Sequence, residues 1–111
     1  MVTVKSIINF VSQAVPSIIS AVQGDNGREV LFTASDFKLP SGATAEYHIR
    51  QPSGNVETGS ATIEDGKILV SLTGDDTAEI GDSYGQVQIT SGGLTVTSFD
   101  FILAVCNFRG N

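Results

Sequence analysis

The sequence has no tryptophan, one cysteine, one histidine and only six basic residues, and these shortages exclude several classes of function. Because Cys106 has no second cysteine to pair with, no internal disulfide can form, and the fold must rely on packing and backbone hydrogen bonds, as suits a reducing cytoplasm. Six basic against twelve acidic residues give a net charge of −6, the wrong sign for binding a phosphate backbone or an anionic lipid surface. We therefore expect neither nucleic acid nor a membrane as a partner.

Sequence motifs of the common catalytic machineries are also missing. There is no GxxxxGKS or GxxxxGKT, no GxGxxG leading into a helix, and no GxSxG turn to present a nucleophilic serine. His48 alternates with the inward-facing residues of its predicted strand and shares a face with Glu46 and Arg50, which indicates a solvated side chain. We expect no enzyme activity, no catalytic residues and no cofactor.

An acidic loop is the one segment that suggests a metal site. Asp75, Asp76, Glu79 and Asp82 offer the oxygen ligands that calcium prefers, but they lack the regular spacing and the glycine of a known calcium loop. The alternative is a solvated loop that keeps a sheet edge from pairing. We therefore predict that the protein has no metal site. The sequence alone does not exclude that the acidic loop binds a metal.

Length and patterning favour a single all-β domain. The 111 residues suit one domain, and 41% hydrophobic with 16% charged residues is an ordinary globular balance. Short β-rich segments between glycine-rich turns predict an immunoglobulin-like antiparallel β-sandwich of about seven strands. The predicted division is an N-terminal arm over 1–16, helical or extended, a β-sandwich domain over 17–106 and a C-terminal tail over 107–111. The arm is too interrupted by polar residues to be a secretory signal.

Alternation of apolar residues and turn chemistry place the strands. Val30, Phe32 and Ala34 should share one inward face, and Asp65-Gly66 predicts a two-residue hairpin. The predicted strands cover 17–22, 28–34, 43–50, 56–63, 67–72, 83–90 and 94–105.

The two tyrosines receive different predictions. Tyr47 is in phase with the inward residues of its strand. Tyr84 follows a loop, as does the tyrosine that hydrogen-bonds back to a corner in immunoglobulin-like sandwiches, and we predict that structural role for it. Because Tyr84 is out of phase with Val87 and Ile89, either a bulge intervenes or the ring packs at an edge.

The last predicted strand is apolar on both faces. Phe99, Phe101, Leu103 and Val105 should face one way, whereas Ile102 and Ala104 make the opposite face apolar too. Either the N-terminal arm covers this second face or a neighbouring subunit or partner protein does. The predicted protein-interface residues, each with burial in the core as the alternative, are Ile7, Ile8, Phe10, Val11, Ile102 and Phe108.

The order of segments along the chain is similar to the N-terminal domain of the upper baseplate proteins of tailed phages that infect Gram-positive bacteria. The resemblance covers roughly 17–105, and its most specific pieces are 24–36 and 49–56. The segments in order are GDNG, REVLFTASD, LPSGA, TAEYHIRQPSGNV, a hairpin with DGK, DDTAEIGDSYGQVQIT, SGG and FDFILAV.

This resemblance implies a structural protein of the virion that attaches receptor-binding components to the distal end of the tail. It implies other tail or baseplate proteins as partners, a homotrimer, and a place in the tail baseplate after synthesis in the bacterial host cytoplasm. Family members continue into a helical, trimer-forming stalk. This sequence ends with 106–111, so we expect either a fragment of a longer protein or a short version that works as an adaptor or decoration.

The alternative function is a carbohydrate-binding or cell-surface adhesion module, because β-sandwiches serve that purpose widely. Sugar sites usually need exposed aromatic platforms. With no tryptophan and only two tyrosines, the sequence offers few candidates.

Overall fold

The computed structural model describes residues 3–109, which contain nine strands and no helix. The all-β prediction is confirmed, with nine strands where about seven were expected. The strands are β1 (Thr3–Ile8), β2 (Ile18–Val22), β3 (Glu29–Ala34), β4 (Thr44–Arg50), β5 (Val56–Glu64), β6 (Lys67–Ser71), β7 (Gly81–Ser91), β8 (Leu94–Thr97) and β9 (Phe101–Cys106).

The strands follow one another in the order β1-β3-β6-β5-β4-β7-β9-β2, with β8 pairing with β7. β5 belongs to two sheets, because residues 56–61 pair with β4 and residues 62–64 pair with β6. We call the β1, β3, β6 side sheet A and the β4, β7, β8, β9, β2 side sheet B. β5 joins the two sheets at one side, and the link between β1 and β2 crosses between them at the other.

Most neighbouring strands are antiparallel, as expected for a sandwich, but the two edge pairs are parallel. β1 runs parallel to β3, and β2 runs parallel to β9. Residues 3–22 therefore contribute one edge strand to each sheet in turn.

The core lies between the two sheets and depends on two close approaches of an aromatic ring to a glycine. Phe32 of sheet A and Phe101 of sheet B have ring centroids 4.9 Å apart. Tyr47 lies opposite Gly59, where an added Cβ would be 2.5 Å from Cε2 of the tyrosine ring. Phe101 lies opposite Gly85, where an added Cβ would overlap the phenyl ring. These strands contain glycine where the ring of the neighbouring strand needs the space.

The hairpin between β5 and β6 is the two-residue turn that the sequence predicts. Glu64 pairs with Lys67, and both turn residues have positive φ, 50° at Asp65 and 74° at Gly66. An Asp-Gly pair adopts this conformation readily, and its twist matches that of the flanking strands.

The long final strand expected over 94–105 is interrupted by a bulge. Thr97 pairs with Gln88 and Phe101 pairs with Gly85, so the three residues 98–100 stand opposite the two residues 86–87. The extra residue changes the alternation, and Phe99 is 36% exposed where the unbroken pattern would turn it inward. The prediction that Phe99 shares the inward face of Phe101 is therefore wrong.

The N-terminal arm is extended in its described part. β1 pairs with β3 along its full length, and the link that follows is held by Asp36. The Asp36 carboxylate accepts hydrogen bonds from the backbone N–H groups of Phe10 (2.8 Å), Ser12 (3.0 Å) and Val11 (3.1 Å). These three donors keep the pKa of Asp36 below its ordinary value, the Phe10 N–H having the largest effect.

No helix long and apolar enough to cross a membrane occurs among residues 3–109.

Candidate interaction surface

Five side chains form a continuous row across the outer face of sheet B. Strand register places Ile18 beside Ile102, Ile102 beside Tyr84, Tyr84 beside Arg50, and Arg50 beside Val56. Ile18 is 65% exposed, Tyr84 49% and Val56 46%. Because neighbouring residues on one face of a sheet lie about 5 Å apart, these side chains make one surface, which we call the exposed row.

A shallow groove of about 310 Å³ opens over the β4 and β7 part of this row. Its lining combines an aromatic ring, a cation, a carboxylate, an amide and an imidazole. The lining residues are His48, Arg50, Val56, Tyr84, Gln86 and Asp100.

A second groove lies on the same face, nearer the chain turn between β7 and β8. Its volume is about 290 Å³, close to that of the first, but no aromatic side chain lines it. Its lining residues are Thr44, Ala45, Glu46, Ser60, Gln88 and Thr90.

Tyr84 lines the groove because buried and outward-facing side chains alternate regularly along β7. Ser83, Gly85 and Val87 are buried, which turns Tyr84 and Gln86 outward. The Tyr84 hydroxyl forms no hydrogen bond with any residue of the range 3–109. The predicted corner role of Tyr84 is therefore wrong. Neither alternative for its phase holds, because β7 alternates regularly from Ser83 to Val87 and lies between β4 and β9 rather than at an edge of the sheet.

Tyr47 is the tyrosine that bonds to a loop. It is buried, as predicted, and its hydroxyl donates to Oδ2 of Asp76 at 2.7 Å. The same oxygen accepts from the backbone N–H of Thr73 at 2.8 Å and from its Oγ1 at 3.1 Å. Burial and the Asp76 carboxylate raise the pKa of Tyr47 above its ordinary value.

The acidic loop is therefore partly engaged in structural contacts. Asp76 is 1% exposed and faces the core, while Glu79 accepts hydrogen bonds from N and Oγ of Ser53 at 2.9 and 2.6 Å. Within the described residues, no group of three or more His, Cys, Asp or Glu side chains is placed to hold a metal ion.

Two of the predicted interface residues belong to the core. Ile8 is 3% exposed and Phe10 is 6% exposed, and the Phe10 ring packs on Phe37 with centroids 5.1 Å apart. β1 and the Asp36 contacts hold both side chains inward, so neither offers a surface to a partner.

The other four predicted interface residues are accessible but do not form one patch. Ile7, Val11 and Phe108 are 55%, 64% and 66% exposed, and Ile102 is half-buried in the exposed row. Val11 precedes β2 and Phe108 follows β9, and these strands are parallel, so the two side chains lie at opposite ends of sheet B.

Sequence reasoning missed the exposed row itself. The outward phase of Tyr84 and His48 is readable from the alternation, and His48 does face outward, with Nε2 3.2 Å from Oε1 of Glu46. Which outward side chains become neighbours depends on the order and register of β2, β9, β7, β4 and β5, which the alternation does not specify.

The described part of the N-terminal arm, residues 3–16, does not cover the second apolar face of β9. β1 pairs with β3 at the edge of sheet A, whereas Ile102 and Ala104 face outward from sheet B. In the part of the chain that the structure describes, these two side chains are half-buried between β2 and β7.

Known proteins resemble this chain in structure but not in sequence. The sequence matches no protein-family model and no curated protein. The structure is similar to a solved structure described as the N-terminal domain of phage TP901-1 ORF48, with a TM-score of 0.62 and 14% sequence identity. The similarity covers 93% of this chain and 98% of the phage domain. The two share a fold along nearly their whole length, which confirms at the level of fold the phage-domain resemblance seen in the sequence.

Proposed function

We propose that the protein is a structural component of a phage virion, a tail baseplate domain that works as an adaptor between the distal tail and receptor-binding components. The observation that supports this most is the fold shared with a phage N-terminal domain over 93% of the chain. The sequence resemblance to upper baseplate proteins points in the same direction.

An adaptor needs two separate contact surfaces, and we assign them to exposed apolar side chains at the two ends of sheet B. Val11 and Val15 are 64% and 92% exposed in the link before β2, and Phe108 is 66% exposed at the opposite end of the sheet. Contiguous apolar patches mark contacts between proteins, whereas single exposed apolar side chains are ordinary on a protein surface, so the assignment of these positions as contacts depends on the variant experiment below. The proposed partners are other tail or baseplate proteins, and the proposed location is the tail baseplate of the virion. A homotrimer and the division into arm, domain and tail stay predictions.

The function proposed has no reaction. The buried polar groups of the loop over 73–80 bond to each other and to Tyr47, which gives them a structural role. The charged side chains around Tyr84 lie in a groove that is open to solvent. Such a groove suits binding better than catalysis, because active sites commonly exclude water.

The decisive experiment is immunogold electron microscopy of purified phage or phage-like particles with an antibody to this protein. Label at the tail tip is the expected result. Unlabelled particles together with antigen on cell walls would instead support a cell-surface adhesion module, the alternative that the exposed Tyr84 ring favours.

Phe108→Ser tests the C-terminal contact. The side chain follows β9 and is 66% exposed, so the fold should remain intact while incorporation into particles falls several-fold. Leu94→Ser, which removes an apolar side chain that is 49% exposed at the other end of β7, is the matched control and should incorporate normally. Normal incorporation of Phe108→Ser would remove this residue from the interface.

A further inference from the structure

The two grooves on the outer face of sheet B have nearly equal volumes, about 310 and 290 Å³, and differ in chemistry. Only the first contains an aromatic ring, that of Tyr84, and it also has Arg50 and Asp100 at its walls. The Tyr84 groove therefore offers a ligand a wider range of contacts than the second groove does. Both grooves are open to solvent, so a ligand in either would be only partly enclosed.

The polar groups of this groove are partly fixed before any ligand arrives. Gln86 donates from Nε2 to the carbonyl of Ser98 at 3.2 Å, which leaves its Oε1 to accept from a ligand. Nε2 of His48 lies 3.2 Å from Oε1 of Glu46, in an exposed contact. Side chains that are already ordered lose less entropy on binding.

The charged groups of the groove are free to bind. Among the residues that the structure describes, neither Arg50 nor Asp100 forms an ion pair or a side-chain hydrogen bond. The groove therefore offers donors from the guanidinium and acceptors from the carboxylate, together with an exposed ring.

This combination fits a ligand with hydroxyl groups that both donate and accept and with an apolar face. A polyanion would be repelled by Asp100 and by the net charge of −6. An apolar ligand would leave Arg50 and Asp100 desolvated without partners. A pyranose ring has polar edges for the charged groups and a C–H face that can pack on tyrosine.

We propose that the Tyr84 groove binds a neutral oligosaccharide, with Tyr84 as the stacking platform and Arg50, Asp100 and Gln86 as hydrogen-bonding groups. This goes beyond the adaptor role, because it assigns a glycan contact to the domain itself. It is also independent of the surfaces at Val11 and Phe108, which lie at the ends of the sheet.

The test is a neutral-glycan array probed with the labelled full chain, followed by an NMR titration with the strongest binder and with maltotriose and chitotriose. We expect amide shifts at His48, Tyr84 and Gln86. Residues of the second groove, Gln88 and Thr90, should not shift. Absence of array binding together with a Kd weaker than roughly 10 mM for both trisaccharides would overturn the proposal.

Variants separate stacking from folding. Tyr84→Ala should weaken binding at least tenfold, whereas Tyr84→Phe, which keeps the ring, should retain most of it. Gln88→Ala in the second groove is the matched control and should bind as the wild type. If Tyr84→Ala proves unstable, Asp100→Asn removes an acceptor from an exposed site and should also weaken binding.

Particle incorporation distinguishes this proposal from the adaptor function. Tyr84→Ala should incorporate normally while losing glycan binding. If it loses incorporation and the wild type binds no glycan, the groove is a protein contact and the saccharide proposal is wrong. Wild-type glycan binding without particle labelling would leave the groove assignment intact and contradict the adaptor function.

Discussion

Two buried serines in sheet B differ in whether their hydroxyl has a partner. Ser98, at the bulge, accepts a hydrogen bond from the Val87 N–H at 2.9 Å, and its own N–H donates to the Val87 carbonyl at 2.8 Å. Ser83 is 0% exposed, and its Oγ has no hydrogen-bond partner in the range 3–109. A buried donor without an acceptor costs stability, whereas an unused hydroxyl can be removed at little cost.

Ser98→Ala should therefore destabilise the protein by about 1–3 kcal/mol, because it leaves the buried Val87 N–H unsatisfied. Ser83→Ala should lie within about 0.5 kcal/mol of the wild type or be slightly stabilising. Urea unfolding of the two variants measures both values. Equal destabilisation would show that the Ser98 hydroxyl does not support the bulge.

Tyr47→Phe should cost about 1–3 kcal/mol, because Asp76 loses a buried donor. The pKa of Tyr47 is raised in the folded protein, so the unfolded chain releases this proton first as the pH rises. The stabilisation is thus present below about pH 10 and declines above it. The difference in unfolding free energy between wild type and variant should shrink at high pH.

Tyr84→Phe is the control for that measurement, since the Tyr84 hydroxyl is exposed and forms no hydrogen bond within the described residues. Its unfolding free energy should follow the wild type across the same pH range. A Tyr47→Phe difference that stays constant with pH would contradict the assigned role of the Tyr47 proton.

At the scale of elements, the link between β1 and β2 depends on one carboxylate. Asp36 accepts from three consecutive backbone N–H groups, 10–12, and its pKa is lowered by them. A lowered pKa means that the carboxylate stabilises the fold above its ordinary value near 4 and that this contribution is lost as the pH falls through the folded pKa.

Asp36→Asn should therefore loosen the link while the sheets remain folded. The expected result is faster hydrogen exchange at the amides of Phe10, Val11 and Ser12 at neutral pH, and exchange in the wild type should approach that of the variant below about pH 4. Asp82→Asn, at an exposed position of β7, is the control and should leave these amides protected. Unchanged protection in Asp36→Asn would mean that β1 alone holds the link.

Strands and turns could be predicted where neighbouring residues determine them. They were missed where one extra residue reverses which side chains of a strand face the core. Val30 and Phe32 alternate inward as predicted, and Asp65-Gly66 forms its hairpin, because both signals are local. The sequence does not decide between a helical and an extended arm, because residues 1–16 show no clean period of two. No distinctive residue marks the bulge at 98–100 in the sequence. The bulge arises because β8 and β9 both pair with β7, in registers that differ by one residue.

At the scale of the whole molecule, the candidate site could be predicted less well than the fold. Ile102 was identified because it is apolar on the outward face of a predicted strand. Ile18, Tyr84 and Val56 join it only through pairings between strands distant in sequence. Long-range packing also explains why Ile8 and Phe10 are buried although they were predicted at an interface. Their apolar character is equally compatible with an interface and with the core.

Ile102→Glu tests whether the apolar edge of the exposed row is a protein contact in addition to the two end surfaces. Ile102 faces outward between Ile18 and Tyr84, so a carboxylate there can remain solvated and should disturb the core little. We expect incorporation into particles to fall at least tenfold, with only a small change in the thermal unfolding midpoint of the protein alone. Leu94→Glu, on an exposed apolar residue outside the row, should incorporate normally. A loss of thermal stability that matches the loss of incorporation would instead assign Ile102 to the fold, because misfolding would then explain both effects.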